Sequence, residues 1–214
     1  MRIQNSVIAP HILIKAHDQD DYNKAESALT KLASRPNGRS LIAEIGKLST
    51  NGRAMTISVV DAYTNTTARP KLTTQQAAAN GVPDSEFSRE NNAIASKLAF
   101  KSGMQKGTGT STNVDFNHKQ YVAVDEAGMP FLDSNKKLSF VSLAHEMVHG
   151  YRIMKGTYTG GVGDRYTAGT PAANEEERAV GLGKYKNEAF TENSIRTEHG
   201  LPLRNQYAAD RSRG

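Results

Sequence analysis

Cysteine is absent from this chain of 214 residues. That excludes a disulfide framework, thiolate metal ligands and a cysteine nucleophile, so any metal has to be held by nitrogen and oxygen. Tryptophan is absent as well, aromatic residues make up 7% and hydrophobic residues 37%, which leaves a modest core and much solvated surface. No apolar run approaches the roughly 20 residues of a membrane span, and no membrane partner is expected. The 27 Lys and Arg outnumber the 22 Asp and Glu, giving a formal charge of +5. They are scattered and not interleaved with stacking aromatics, so no nucleic-acid groove is expected, only a mildly basic surface that attracts acidic partners. At this length one domain with a recessed site is expected.

The first residues, "MRIQNSVIAPHILIKAHD", are apolar but broken by Asn, Ser, Pro and His. They lack the uninterrupted core and the cleavage site of a secretory signal. We read residues 1–20 as a flexible leader and 21–214 as the folded domain. Apolar residues at helical spacing predict a helix over 20–33, ended by "RPNG", and a second carrying Leu41, Ile42, Ile45 and Leu48. "AMTISVV" at 54–60 alternates like a half-buried strand. Residues 63–112 are poor in large apolar groups and read as an excursion over the surface, with one helix near 88–101. Strands follow at 113–116 and 121–125, and a helix is expected from about 174 to 190. The implied class is α+β with a small sheet, and no internal repeat is visible.

Chemistry is concentrated in "VSLAHEMVHGYR" at 141–152. Residues four apart share a helix face, so His145 and His149 present two imidazoles that one metal ion can bridge. Glu146 lies on the adjoining edge, beside a water whose pKa zinc lowers from about 15.7 toward roughly 7. This is the zinc-peptidase pattern H-E-x-x-H, with Glu146 as base and Zn2+ as expected cofactor. The metzincin form needs Gly and His where this chain has Arg152 and Lys155, and is excluded. A third ligand is expected from "NEEER", 25 residues on: Glu176 first, then Glu175 or Glu177, with Asp164 as the outlying choice. A helix dipole also favours acidic residues in a first turn, so the cluster alone does not choose among them. Arg204 and Tyr207, three apart in "LPLRNQY", are candidates for stabilising an oxyanion. Glu192 and Arg196 form either an intrahelical ion pair or a group steering the ligands.

Taken together, "LAHEMVHGYR", "EEERAVGLG", "TENSIRTEHGLPLRNQY" and the acid-free N-terminus resemble the NleD-like effector zinc metallopeptidases that pathogens inject by type III secretion. The resemblance implies a zincin-like fold with the zinc helix and the glutamate helix beneath a substrate cleft. It implies His145 and His149 as ligands and Glu146 as base, in an enzyme cleaving host signalling proteins, notably mitogen-activated protein kinases in the activation loop. A distant likeness to clostridial neurotoxin light chains implies Glu176 as third ligand, and Arg204 and Tyr207 as transition-state groups. The expected protein is a monomeric effector delivered to the host cytoplasm. The competing expectation is a hydrolytically idle zincin scaffold that acts by occupying a host target.

Overall fold

The computed structural model describes residues 1–85, 88–161 and 163–208. Along the chain run β1 (Arg2–Asn5), β2 (Ile12–Ala16), α1 (Gln19–Ala33), α2 (Pro36–Leu48), β3 (Met55–Val59), β4 (Thr67–Lys71), α3 (Thr74–Ala79) and α4 (Arg89–Ala99). Then come β5 (Ser111–Phe116), β6 (Tyr121–Val124), β7 (Pro130–Asp133), α5 (Ser139–Lys155), α6 (Pro171–Val180) and α7 (Glu192–Glu198). Five strands form a mixed sheet in the order β1-β2-β3-β5-β4, while β6 and β7 form a separate antiparallel hairpin. The inner strands β2, β3 and β5 are parallel, and β1 and β4 close the two edges antiparallel.

Alternation along the strands gives the sheet two unlike faces. Ile12, Ile14, Met55, Ile57, Val59, Val114 and Phe116 are buried on one of them, in a core shared with α1, α2 and α5. Leu143, Ala144, Met147 and Val148 anchor α5 in that core, each large side chain contributing about 1.5–3 kcal/mol by leaving water. The other face is polar: Ser58 donates to Asn113 at 2.9 Å, Asn113 to Asp115 at 2.8 Å, and Arg69 pairs with Asp115 at 2.8 Å. Gly150 lets α5 approach the sheet, since a Cβ there would stand 2.6 Å from the Met55 methyl and 3.0 Å from that of Thr112.

Three expectations change. Residues 1–20 are not a flexible leader: Ile12 and Ile14 are fully buried and β2 pairs along β3 inside the sheet. The excursion over 63–112 holds the edge strand β4 and a second apolar cluster of Leu72, Ala77, Val82 and Ala95. The helix expected over 174–190 begins at Pro171, behind a Thr170 cap, and stops at Val180, because Gly181 turns left-handed at φ 89°. The three glutamates therefore lie beyond its first turn.

Candidate metal centre and cleft

Two helices and one short segment converge on α5. The α5 face carrying His145 and His149 meets α6, and Glu176 reaches both rings: its Oε2 lies 3.1 Å from His145 Nε2 and 3.0 Å from His149 Nε2. The two Nε2 atoms are 3.2 Å apart. The other ring nitrogens face carboxylates, His145 Nδ1 lying 2.9 Å from Glu192 and His149 Nδ1 3.3 Å from Glu175. An ionised carboxylate only accepts. Each Nδ1 therefore carries a proton, and each Nε2 faces Glu176, the position that either a second proton or a metal ion can take.

Three electron-rich atoms within 3.2 Å of one another repel unless positive charge lies among them. A tetrahedral zinc with ligands near 2.0–2.1 Å would set its donors about 3.3 Å apart, close to the observed triangle. The donor set fits the ion, and His145, His149 and Glu176 are the group among the described residues whose ligand atoms converge this way. The electrostatics agree. Burial opposes a charge on His149, but the Glu176 charge and hydrogen bonds to Glu175 and Glu176 outweigh it and raise its pKa to about 10. His145 is likewise opposed by burial and raised by its bonds to Glu176 and Glu192. Glu175, against its own burial, is held down to about 2 by His149 and Arg152. Glu176 is lowered by the charges and hydrogen bonds of both rings despite burial.

Glu192 is a hub. Its carboxylate accepts from His145 Nδ1, from Arg196 at 2.6 Å and from Arg204 at 2.8 Å. Burial works against its charge, and Arg204, His145 and Arg196 together keep it well below the usual carboxylate range. Arg196 is completely buried and also donates to the Tyr121 hydroxyl and the Pro202 carbonyl. Glu175 has the matching place behind His149, with Arg152 donating to it at 2.9 Å. Such partners fix ring orientation and raise ligand basicity.

Glu146 points instead to the edge strand, where Ala68 N–H donates to it at 2.7 Å. Burial, offset in part by the charges of His149 and His145, pushes its carboxyl above the ordinary range. It lines a cavity of about 260 Å³ together with His145, Arg165, Tyr166, Arg204 and Tyr207. Phe131 and Leu132 of the β6–β7 hairpin form its apolar wall and are partly exposed.

Of the residues singled out from the sequence, His145, Glu146, His149 and Glu176 come together. Arg204 stands beside them in another posture. Each of its three guanidinium nitrogens is engaged, by Glu192, the Gln206 carbonyl and the Tyr207 carbonyl, so it braces the site from behind. Tyr207 faces the cavity, stacked between His145 and Tyr166 at 6.3 and 6.0 Å. Burial, then the Glu176 charge, raises its phenol, so it stays an O–H donor. Asp164 is exposed and accepts from Tyr166 N–H and the Thr167 hydroxyl, well suited to shaping its loop. Neither it nor Glu177 belongs to the ligand triangle. Two residues had no signal in spacing. Arg165, in the glycine-rich loop, hydrogen-bonds with Tyr207 and lies 3.4 Å from Glu176. Tyr158 stands edge-on to His149 at 5.8 Å.

The family model Peptidase_M91, described as "Effector protein", matches residues 11–207. No curated protein matches the chain. Among solved structures, the light chain of Clostridium botulinum neurotoxin serotype F is similar with a TM-score of 0.51 and 11% identity, over 89% of this chain and 69% of that one. The catalytic domain of the same serotype gives a TM-score of 0.46 and 14% identity over 83% of this chain, which spans only 45% of that structure. At such identities the likeness is one of fold.

Proposed function

From the premise that this chain belongs to the peptidase M91 family of effector proteins, we propose that it is a zinc endopeptidase whose ligands are His145, His149 and Glu176 and whose general base is Glu146. The observation that carries this reading is the triangle of three donor atoms 3.0–3.2 Å apart, with a carboxyl of raised pKa on the next residue of the same helix. Zinc bound there supplies Lewis acidity, polarising a peptide carbonyl and acidifying water.

The chain's own groups do the rest. Glu146, more basic than a solvated glutamate, takes a proton from water and passes it to the departing amine. Tyr207 O–H and the Arg165 guanidinium, both on the cavity, donate to the developing oxyanion. Glu192 and Glu175 hold the imidazoles, with Arg204, Arg196 and Arg152 holding those carboxylates in turn. The substrate we propose is a host signalling protein, with mitogen-activated protein kinases cut in the activation loop as the first class to assay. We also propose type III export into the host cytoplasm, with residues 1–20 read as the address before folding, and action as a monomer.

Glu146→Gln is the decisive variant. We expect full zinc content by elemental analysis, an unchanged circular dichroism spectrum and a loss of cleavage of at least about 10²–10⁴-fold. Retention of the effect on a target by this variant would instead establish a scaffold acting by occupancy.

A further inference from the structure

The cleft does not end at the cavity over Glu146. Beyond Ala68 the free edge of β4 runs to Pro70, which borders a second cavity of about 690 Å³. Leu98, Phe100 and Tyr158 give it apolar walls, and Tyr158 is the ring standing against His149. The second cavity therefore reaches the His149 side of the metal centre through Tyr158, whereas Tyr207 stands against His145.

Its charge is one-sided. Lys97 and Lys106 line it, and among the described residues no carboxylate does. Both lysines are exposed, and neither ammonium has an ion-pair or hydrogen-bond partner among the described residues. Lys106 also lines a neighbouring hollow of about 230 Å³ beside Lys101 and Lys155. In that hollow Arg152 and Arg178 are occupied by Glu175 and Glu188, while Lys101 has no such partner among the described residues. By contrast, the cavity over Glu146 sets Arg165 and Arg204 against Glu146 and Glu192. One end of the cleft is balanced and the other is positive.

We propose that the flank beyond Pro70 is a subsite for an anionic side chain, carboxylate or phosphate, on a substrate lying along β4. Apolar walls hold the stem of such a side chain, and their low dielectric strengthens the field of the unpaired lysines at its charged end. An extended chain advances about 3.3 Å per residue, which puts the recognised residue about two to four positions from the scissile bond, always on the same side. This inference rests on the endopeptidase reading.

The test uses the zinc-loaded full chain and fluorescent decapeptides of otherwise fixed sequence, carrying Glu, phosphoserine, Gln or Lys at each position in turn. Cleavage is mapped by mass spectrometry, and binding to the Glu146→Gln variant is followed by fluorescence polarisation. Each lysine contact at such an exposed site is worth about 2–5-fold, so Glu or phosphoserine should be favoured over Gln at those positions. The pair Lys97→Glu and Lys106→Glu should lower that preference by about tenfold or reverse it, with zinc content and cleavage of neutral peptides unchanged. A larger gain for phosphoserine identifies phosphate as the ligand, and an equal gain identifies negative charge alone. Cleavage with no acidic preference overturns the subsite and leaves the peptidase standing. Selective binding of acidic peptides without cleavage supports the subsite and sinks the peptidase reading, and neither binding nor cleavage sinks both.

Discussion

At the scale of the residue, protons and zinc compete for the same three atoms. Stripped of metal, the His149 ring has a pKa near 10 against an ordinary 6.5. Its contribution to stability is then fully present below about pH 6.5 and lost as pH rises toward 10. Glu175, lowered from 4.5 to about 2, works in the opposite sense: its contribution is present above about pH 4.5 and lost as pH falls through 2. The thermal midpoint of chelator-treated protein should therefore peak between about pH 4.5 and 6.5, and a midpoint that climbs from pH 7 to 10 would contradict the pairing. Zinc uptake at pH 7.5 should release protons, measurable by calorimetry in buffers of different ionisation enthalpy. Arg204 and Arg165 should separate cleanly. Arg204→Lys loosens Glu192 and should weaken zinc affinity about 10–100-fold in a chelator competition. Arg165→Ala should leave that affinity within a few-fold and lower kcat about 10²-fold. Equal effects on zinc would show that Arg165 is merely structural. The Arg-x-x-Tyr spacing marked Arg204 and Tyr207 but not Arg165, and the division of labour between the two arginines depends on which nitrogens are already engaged, which only the packing of α7 reveals.

At the scale of the element, α5 ends where Gly156 adopts φ 71° and caps the helix. A Cβ there would sit 2.0 Å from the Gly107 carbonyl oxygen, a backbone atom that cannot swing aside. Gly156→Ala should cost more than the ~1 kcal/mol that the left-handed conformation alone costs an alanine, read from chemical denaturation. Arg196→Met should be costly too, about 3–5 kcal/mol, because it leaves Glu192 charged and buried with one partner fewer. Helical periodicity made α1, α2, α4 and α5 legible, since one apolar stripe faces one core. One edge strand and one inner strand were opaque. In β4, "TARPK" is half-buried throughout and carries a proline, so neither alternation nor β-branching marks it. In β2, "ILIKA" alternates buried and half-buried positions, but its place among Asn, Pro and His disguised it as a leader. The glutamate helix was located correctly and drawn too long, because its stop is a glycine whose sign of φ no composition announces.

At the scale of the whole molecule, the sheet is threaded from the start of the chain: β2 lies between β1 and β3. Removing residues 1–16 should abolish cooperative thermal unfolding, whereas removing the exposed β1 alone should be tolerated. The opposite edge has its own asymmetry. In an antiparallel ladder a residue's N–H and C=O leave on the same side. Ala68 N–H turns away from β5 toward Glu146, so its carbonyl, and that of Pro70 two residues on, face the cleft, while Pro70 has no N–H to give. This rim can receive hydrogen bonds but has almost none left to offer. A peptidomimetic inhibitor should accordingly present amide protons toward the rim, and methylating those nitrogens should abolish its potency more surely than replacing its carbonyls. The same lopsidedness would discourage two copies of the enzyme from zipping together along their working edges.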